Sequence, residues 1–172
     1  MAIYALGDKS PTIDSSAFIH PEAVIIGDVV IGAKSSVWPS AVLRGDSNRI
    51  VVGDRTSIQD GAIIHCTSEL PTLIGNDCTV GHNAHLEGCI VHDGSLIGSG
   101  SLVLHHVVVH TGALVAAGAV CITGLIVPSG ALAVGVPAKI KEGAADPHTI
   151  AYSQATYVRN AEFYPGNLKR LD

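Results

Sequence analysis

Aliphatic residues return at every sixth position along most of this chain, with small or polar residues between them. The runs are Ile19, Ile25, Ile31, Val37 and Leu43; then Val52, Ile58 and Ile64; then Ile74, Val80 and Leu86; and finally Val91, Ile97, Val103, Val109, Val115, Cys121, Val127 and Ala133. A period of six matches neither the 3.6-residue α-helix nor an alternating amphipathic strand. It predicts short strands joined by tight turns, three hexads to a triangular coil, with the aliphatic side chains in one shared central column.

This six-residue repeat covers about residues 17–138 and resembles the hexapeptide repeats of left-handed parallel β-helix proteins. The left-handed sense is what the resemblance implies, because general principles favour right-handed parallel crossovers. We therefore expect an all-β domain over 1–138, made of a short N-terminal lead-in and a left-handed parallel β-helix. Residues 139–172, where the hexads stop, are expected to form a C-terminal helical appendage.

One helix is predicted within this appendage, over about residues 146–163. Asp146 and Pro147 fit an N-cap followed by proline at the first helical position. Pro165 and Gly166 are expected to end the segment. The apolar residues that recur at helical spacing, and so predict packing against one flank of the β-helix, are Ile150, Tyr157, Ala161 and Tyr164.

The composition narrows the function classes. The 172 residues are 47% hydrophobic, 4% aromatic and 15% charged, with a formal net charge of −5 at pH 7. This balance excludes a disordered chain and gives no basic footprint for nucleic acid. The sequence has no apolar run of about 18 residues and no secretory signal pattern, so we expect neither a membrane partner nor secretion. Four scattered cysteines without a CxxC pair are expected as reduced core residues of a cytoplasmic protein.

Two interruptions of the repeat, one at 44–49 and one directly after His65, predict loops that project from the rigid β-helix. Such loops are where sites are commonly built. His65 follows the inward-facing Ile64, and with three hexads per coil Leu86 lies over Ile64. Position 87 therefore stacks over His65, and both side chains point outward. That outward face suits a subunit interface.

Several motifs resemble the gamma-class carbonic anhydrase family. In chain order they are Val37-Trp38-Pro39-Ser40-Ala41-Val42-Leu43-Arg44-Gly45-Asp46, Ser57-Ile58-Gln59-Asp60-Gly61, Ile64-His65, Ile74-Gly75, Val80-Gly81-His82 and Gly88-Cys89. The similarity runs from about residue 10 to the terminal helix. It implies a homotrimer in which three histidines bind zinc, or iron in some members, at each subunit interface. Two of them come from one subunit and the third from its neighbour, and His65 and His82 match two of these positions.

The third ligand position departs from the family pattern. Members typically read Gly-His-x-Ala-x-x-His-Gly-Cys, whereas this chain reads Gly81-His82-Asn83-Ala84-His85-Leu86-Glu87-Gly88-Cys89. Glu87 stands at the expected histidine, and His85, two residues earlier, lies on the same face of the strand. Three outcomes stay open: Glu87 ligates directly in a set of two histidines and one glutamate, His85 replaces it through a loop adjustment, or no catalytic metal binds.

Further residues match family positions, and their roles follow from the resemblance. Gln59 matches a glutamine that orients hydroxide or substrate beside the metal. Tyr157 resembles a terminal-helix tyrosine that reaches the active site in some relatives. Arg44 matches an arginine that pairs across the interface with acids at Asp46 and Asp60. For these three residues we favour structural pairing in the trimer over direct catalysis.

The resemblance implies a zinc-dependent lyase that hydrates carbon dioxide to bicarbonate reversibly, with metal-bound hydroxide as the nucleophile. A hexapeptide-repeat acyltransferase is the alternative from another class, and it would use His85 or His105 as general base. A non-catalytic trimeric scaffold with a degenerate metal site is the third hypothesis. Fold alone does not determine function. The metal content of the purified trimer therefore distinguishes these three hypotheses best.

Overall fold

The computed structural model describes residues 2–172, and Met1, the first residue of the predicted β-helix domain, lies outside them. The described residues form twenty strands and one helix. Most strands have two or three residues, as the hexads predict. The strands are β1 (Ala2–Tyr4), β2 (Thr12–Ile13), β3 (Phe18–Ile19), β4 (Val24–Ile31), β5 (Ser36–Val37), β6 (Val42–Val52), β7 (Ser57–Ile58), β8 (Ile63–His65), β9 (Thr72–Ile74), β10 (Thr79–Val80), β11 (His85–Glu87), β12 (Ile90–Val91), β13 (Leu96–Ile97), β14 (Leu102–Val103), β15 (Val108–Val109), β16 (Leu114–Val115), β17 (Val120–Cys121), β18 (Ile126–Val127), β19 (Leu132–Val134) and β20 (Lys139–Lys141), and the helix is α1 (Pro147–Asn167).

Successive coils pair as parallel strands and form a β-solenoid of about seven turns, which confirms the predicted left-handed parallel β-helix class. Three columns of strands make its three faces. Face I contains β1, the first halves of β4 and β6, and then β8, β11, β14 and β17. Face II contains β2, the second halves of β4 and β6, and then β9, β12, β15 and β18. Face III contains β3, β5, β7, β10, β13, β16 and β19.

The core is the central column of inward-facing aliphatic side chains, as predicted. Ile25, Leu43, Ile64 and Leu86 on face I are all fully buried. Each such side chain contributes about 1.5–3 kcal/mol by leaving water, so the stacked column stabilises the scaffold that carries the outward-facing residues. The cysteines of the described chain are buried and free, which confirms their expected place in the core.

The solenoid begins earlier than the predicted repeat. The lead-in forms β1 and β2, which pair in parallel with β4 and complete the first coil. The six-residue period is lost here because a tight turn separates the two strands. In that turn Leu6 and Lys9 exchange backbone hydrogen bonds, and Gly7 adopts a left-handed φ of +62°.

The C-terminal region starts with a strand that the sequence did not predict, since β20 pairs antiparallel with β19 beyond the last hexad. Helix α1 then begins at the predicted position. The Asp146 side chain caps it by accepting hydrogen bonds from the backbone of His148 and Thr149, at 3.0 and 3.2 Å. The helix lies against β3, β5, β7 and β10 of face III. No helix within residues 2–172 is long and apolar enough to cross a membrane.

The end of α1 differs from the prediction, because the helix continues through Pro165 to Asn167. Tertiary packing holds this last stretch. The Tyr164 ring lies 4.9 Å from the Trp38 ring, edge to face. The backbone N–H of Leu168 donates to the Tyr164 carbonyl at 2.8 Å and closes the final turn. These contacts outweigh the helix-breaking preference of the proline.

Candidate metal centre

His65 and Glu87 meet on face I, where β8 and β11 pair in parallel and place the two residues directly opposite each other. His65 Nδ1 lies 2.8 Å from Glu87 Oε1. The two side chains are 19% and 22% exposed, so they point outward yet are partly shielded from water. This arrangement confirms that position 87 stacks over His65. It arises because the buried Ile64 and Leu86 fix the register of both strands.

The other nitrogen of His65 faces a second carboxylate. His65 Nε2 lies 3.1 Å from Asp46 Oδ1, and Asp46 also accepts a hydrogen bond from Arg44. Partial burial raises the pKa of Asp46, but the hydrogen bonds from His65 and Arg44 outweigh it, and the pKa lies below its usual range. A neutral imidazole has a single N–H, so His65 cannot donate to both carboxylates. Two carboxylates therefore place negative charge on both sides of the His65 ring.

The second oxygen of Glu87 faces two further histidines. Glu87 Oε2 lies 3.5 Å from His85 Nε2 and 3.6 Å from His105 Nε2. Burial alone raises the pKa of Glu87, but the hydrogen bond from His65 and the charges of the surrounding imidazoles lower it below the usual value. The carboxylate therefore stays ionised. His85 lies close to Glu87 on β11. It therefore stays an alternative candidate for the third metal ligand.

His82 lies apart from this cluster, in the turn after β10. Its Nδ1 is 2.9 Å from Asp60 Oδ2, and the two side chains are 46% and 48% exposed. Its Nε2 is 3.4 Å from the hydroxyl of Tyr157 on α1. The Asp60–His82 pair was not predicted from the sequence. A signal for it was present, because the two residues are 22 positions apart, the same separation as His65 and Glu87.

The remaining predicted residues lie near His82, or on β6 before His65. The loop predicted at 44–49 is wrong, because β6 runs unbroken over Val42–Val52 and pairs with the strands on either side of it. Tyr157 packs edge to face on Trp38, with the ring centres 5.7 Å apart. Burial raises the pKa of Tyr157, and the negative charge of Asp60 adds to the shift. Gln59 is 4% exposed and immediately precedes Asp60. Arg44 pairs with Asp46 inside one chain, and its pairing across an interface stays a prediction.

The donor chemistry fits a zinc-type site, although the donors are divided in space. Two imidazoles and a carboxylate form a known zinc-binding set. Asp60 holds Nδ1 of His82, the contact that ligating imidazoles usually make through their other nitrogen. Within residues 2–172 of a single chain, no group of three His, Cys, Asp or Glu side chains is placed to hold a metal ion. His65 and Glu87 therefore form an incomplete set of metal ligands on face I. The third candidate donor, Nε2 of His82, lies near Tyr157 of α1.

Comparison with known proteins places this geometry among hexapeptide-repeat proteins. Residues 71–104 match the family described as "Bacterial transferase hexapeptide (six repeats)". The chain is 42% identical over 165 residues to "Gamma carbonic anhydrase 2, mitochondrial" of Arabidopsis thaliana, covering 91% of this chain and 59% of that protein. The chain thus spans about three fifths of the length of this relative.

Two solved structures match along nearly their whole length. One is a hexapeptide transferase family protein from Anaplasma phagocytophilum, with a TM-score of 0.90 and 36% identity over 97% of this chain and 98% of that chain. The other is a putative acetyltransferase from Bacillus cereus, with a TM-score of 0.94 and 35% identity over the same shares. The names of these similar proteins thus describe two different activities, carbonic anhydrase and acetyltransferase.

Proposed function

Because the chain belongs to the gamma carbonic anhydrase-like family of hexapeptide-repeat proteins, we propose that it is a homotrimeric metalloprotein that hydrates carbon dioxide reversibly at its subunit interfaces. Zinc is the proposed metal, with iron as the alternative. His65 and Glu87 of one subunit and His82 of the next would hold it. The cytoplasmic location expected from the sequence stays a prediction.

The division of the donors is the observation that carries this proposal. His65 and Glu87 contact each other at 2.8 Å on face I. His82 is held by a different carboxylate and contacts the terminal helix. A neighbouring copy of the chain would bring an Nε2 atom equivalent to that of His82 to the exposed side of the His65–Glu87 pair. Closed rings of identical subunits use such head-to-tail contacts.

The residues of this chain would prepare the site for a small, linear and uncharged substrate. When bound, zinc lowers the pKa of water and so supplies a nucleophile at neutral pH. Asp60 would orient His82 through Nδ1, and Asp46 would orient the His65 ring through Nε2. This leaves His65 Nδ1 and the Glu87 carboxylate to hold the metal. Gln59, buried beside Asp60, would orient the nucleophile or the substrate through its amide. A carboxylate ligand adds negative charge, so water at this site should be less acidic than at a three-histidine site.

The experiment measures metal content and hydration activity on the same preparations. Wild-type protein is expected to be a trimer with about one metal per subunit and to hydrate carbon dioxide in a stopped-flow assay. His65→Ala and His82→Ala should lose most of the metal while the fold survives, because the buried column is untouched. His92→Ala, a change at an exposed histidine on another part of the surface, is the matched control. A metal-free wild-type trimer, or full occupancy in either ligand variant, contradicts the proposal.

Acyl transfer is the second candidate, and one observation favours it. Asp60 and His82 form a carboxylate–imidazole pair whose Nε2 atom is 3.4 Å from the Tyr157 hydroxyl, and an imidazole oriented in this way suits a general base. His85 and His105, the bases expected from sequence, instead turn Nε2 towards Glu87. In the presence of an amine that takes up the acetyl group, release of thiol from acetyl-CoA by metal-free protein would support this candidate, provided that the release is lost in His82→Ala.

A further inference from the structure

The Nε2 atom of His105 lies in an environment that the proposed ligands do not explain. Its side chain is 40% exposed, so the ring has access to water. Yet its Nε2 atom is buried and has no hydrogen-bond partner among the described residues. Glu87 Oε2, a carboxylate oxygen, lies 3.6 Å from it. Burying a ring nitrogen without a partner costs free energy, and the Glu87 carboxylate is a neighbouring group that can offset this cost.

The backbone places His105 against the strand that carries Glu87. His105 lies in the turn after β14, one coil beyond β11. The N–H of the adjacent His106 donates to the Gly88 carbonyl at 2.8 Å and anchors this turn. Gly88 leaves room for the ring, because a Cβ atom there would lie 3.1 Å from His105 Cδ2. The approach of His105 to Glu87 is thus a consequence of the coil register and of a glycine at position 88.

The two oxygens of Glu87 have separate neighbours. Oε1 lies 2.8 Å from His65 Nδ1 on the preceding coil. Oε2 faces His105 on the following coil and His85 on the same strand. A glutamate side chain has three rotatable bonds and loses considerable freedom when it is ordered. Neighbours on both oxygens hold the carboxylate in the orientation that reaches His65.

We propose that His105 is a positioning residue of the metal centre, one that holds Oε2 of Glu87 and thereby keeps Oε1 on His65. The role of His105 in metal binding rests on the proposed function. The inference accounts for the buried Nε2 atom of His105, which the three proposed ligands leave unexplained. It also gives the carboxylate at position 87 a supporting partner on the next coil.

The first test measures Co²⁺ affinity by titration calorimetry and by the visible absorption of the bound ion. His105→Ala should weaken binding about tenfold, the lower end of the range for residues that support a ligand. His105→Gln, which keeps an N–H donor, should recover part of the loss. The matched control is His106→Asn, since His106 is exposed and asparagine tolerates its left-handed φ of +59°. Thermal unfolding checks that all variants are folded.

A double-mutant cycle separates positioning from a general effect on the fold. Measured on the metal-free protein by urea unfolding, His105→Ala should lower the free energy of unfolding less in a Glu87→Ala background than in the wild type, because the group that His105 holds is gone. Equal losses in the two backgrounds would overturn the proposal. So would a wild-type Co²⁺ affinity in His105→Ala.

A crystal structure of the metal-free His105→Ala or His105→Gln protein provides a readout that needs no metal. In the alanine variant, Glu87 Oε1 is expected to move away from His65 Nδ1, and in the glutamine variant to remain near it. A Glu87–His65 contact that stays at its wild-type length in the alanine variant overturns this inference. Absence of Co²⁺ binding by the wild type would instead refute the proposed function, so the two failures are distinguishable.

Discussion

Mixed trimers of two inactive variants test the division of the metal site between subunits. His65→Ala removes a donor from face I, and His82→Ala removes the donor that a neighbouring subunit would supply. Each variant alone is expected to lack metal at every interface. When the two chains are mixed in equal amounts and assembled together, an interface is intact only if one subunit keeps His65 and its neighbour keeps His82.

The size of the recovery follows from the geometry. Each condition is met with a probability of one half, so about a quarter of all interfaces should recover metal in a randomly assembled three-fold ring. Every trimer that contains both chains has one intact interface, so mixed trimers isolated through two different tags should hold about one metal each. Metal content by mass spectrometry and stopped-flow hydration should rise together. The recovered activity per bound metal should equal that of the wild type.

A second pairing serves as the control, because it exchanges residues that belong to the same chain. His65 and Glu87 contact each other within one subunit, so subunits carrying His65→Ala and Glu87→Ala should not complement each other. Subunits carrying Glu87→Ala and His82→Ala should. Mixed trimers of His65→Ala and His82→Ala that contain no metal would refute the proposed division. Equal recovery in all pairings would also refute it.

Four further outcomes are expected. Asp60→Asn should weaken metal binding about tenfold by calorimetry, since Asp60 orients His82 but is too exposed for a larger effect. Glu87→His should raise stopped-flow hydration at pH 7, because it removes a negative charge from the site; no increase would argue against Glu87 as a ligand. Leu86→Ala should lower the free energy of unfolding in urea by about 2–5 kcal/mol, since the side chain is fully buried. Because the native pKa of Glu87 is lowered, wild type should melt above Glu87→Gln at pH values over about 4.3, and this advantage should disappear as pH falls through the native pKa.

The six-residue period by itself determined the fold and part of the site. A repeat that places every sixth side chain inward leaves the residue after it outward, so the stacking of position 87 over His65 could be counted along the chain. The start of α1 could also be predicted from the sequence, because Asp146 caps it through local hydrogen bonds. These features depend on contacts between sequence neighbours or between residues at a constant spacing.

Only the tertiary structure decided the features that depend on competing long-range contacts. Helix α1 passes Pro165 because Tyr164 packs on Trp38, a contact that spans the chain and outweighs a local helix-breaking preference. Asp60 contacts His82 within one chain, a pairing that depends on the directions of the two side chains and not on the six-residue period alone. His105 turns towards Glu87 because it lies in a turn that is anchored on Gly88 of the neighbouring coil. The six-residue period predicts whether a side chain points inward or outward. The direction of its polar atoms depends instead on the charged groups of the neighbouring coils.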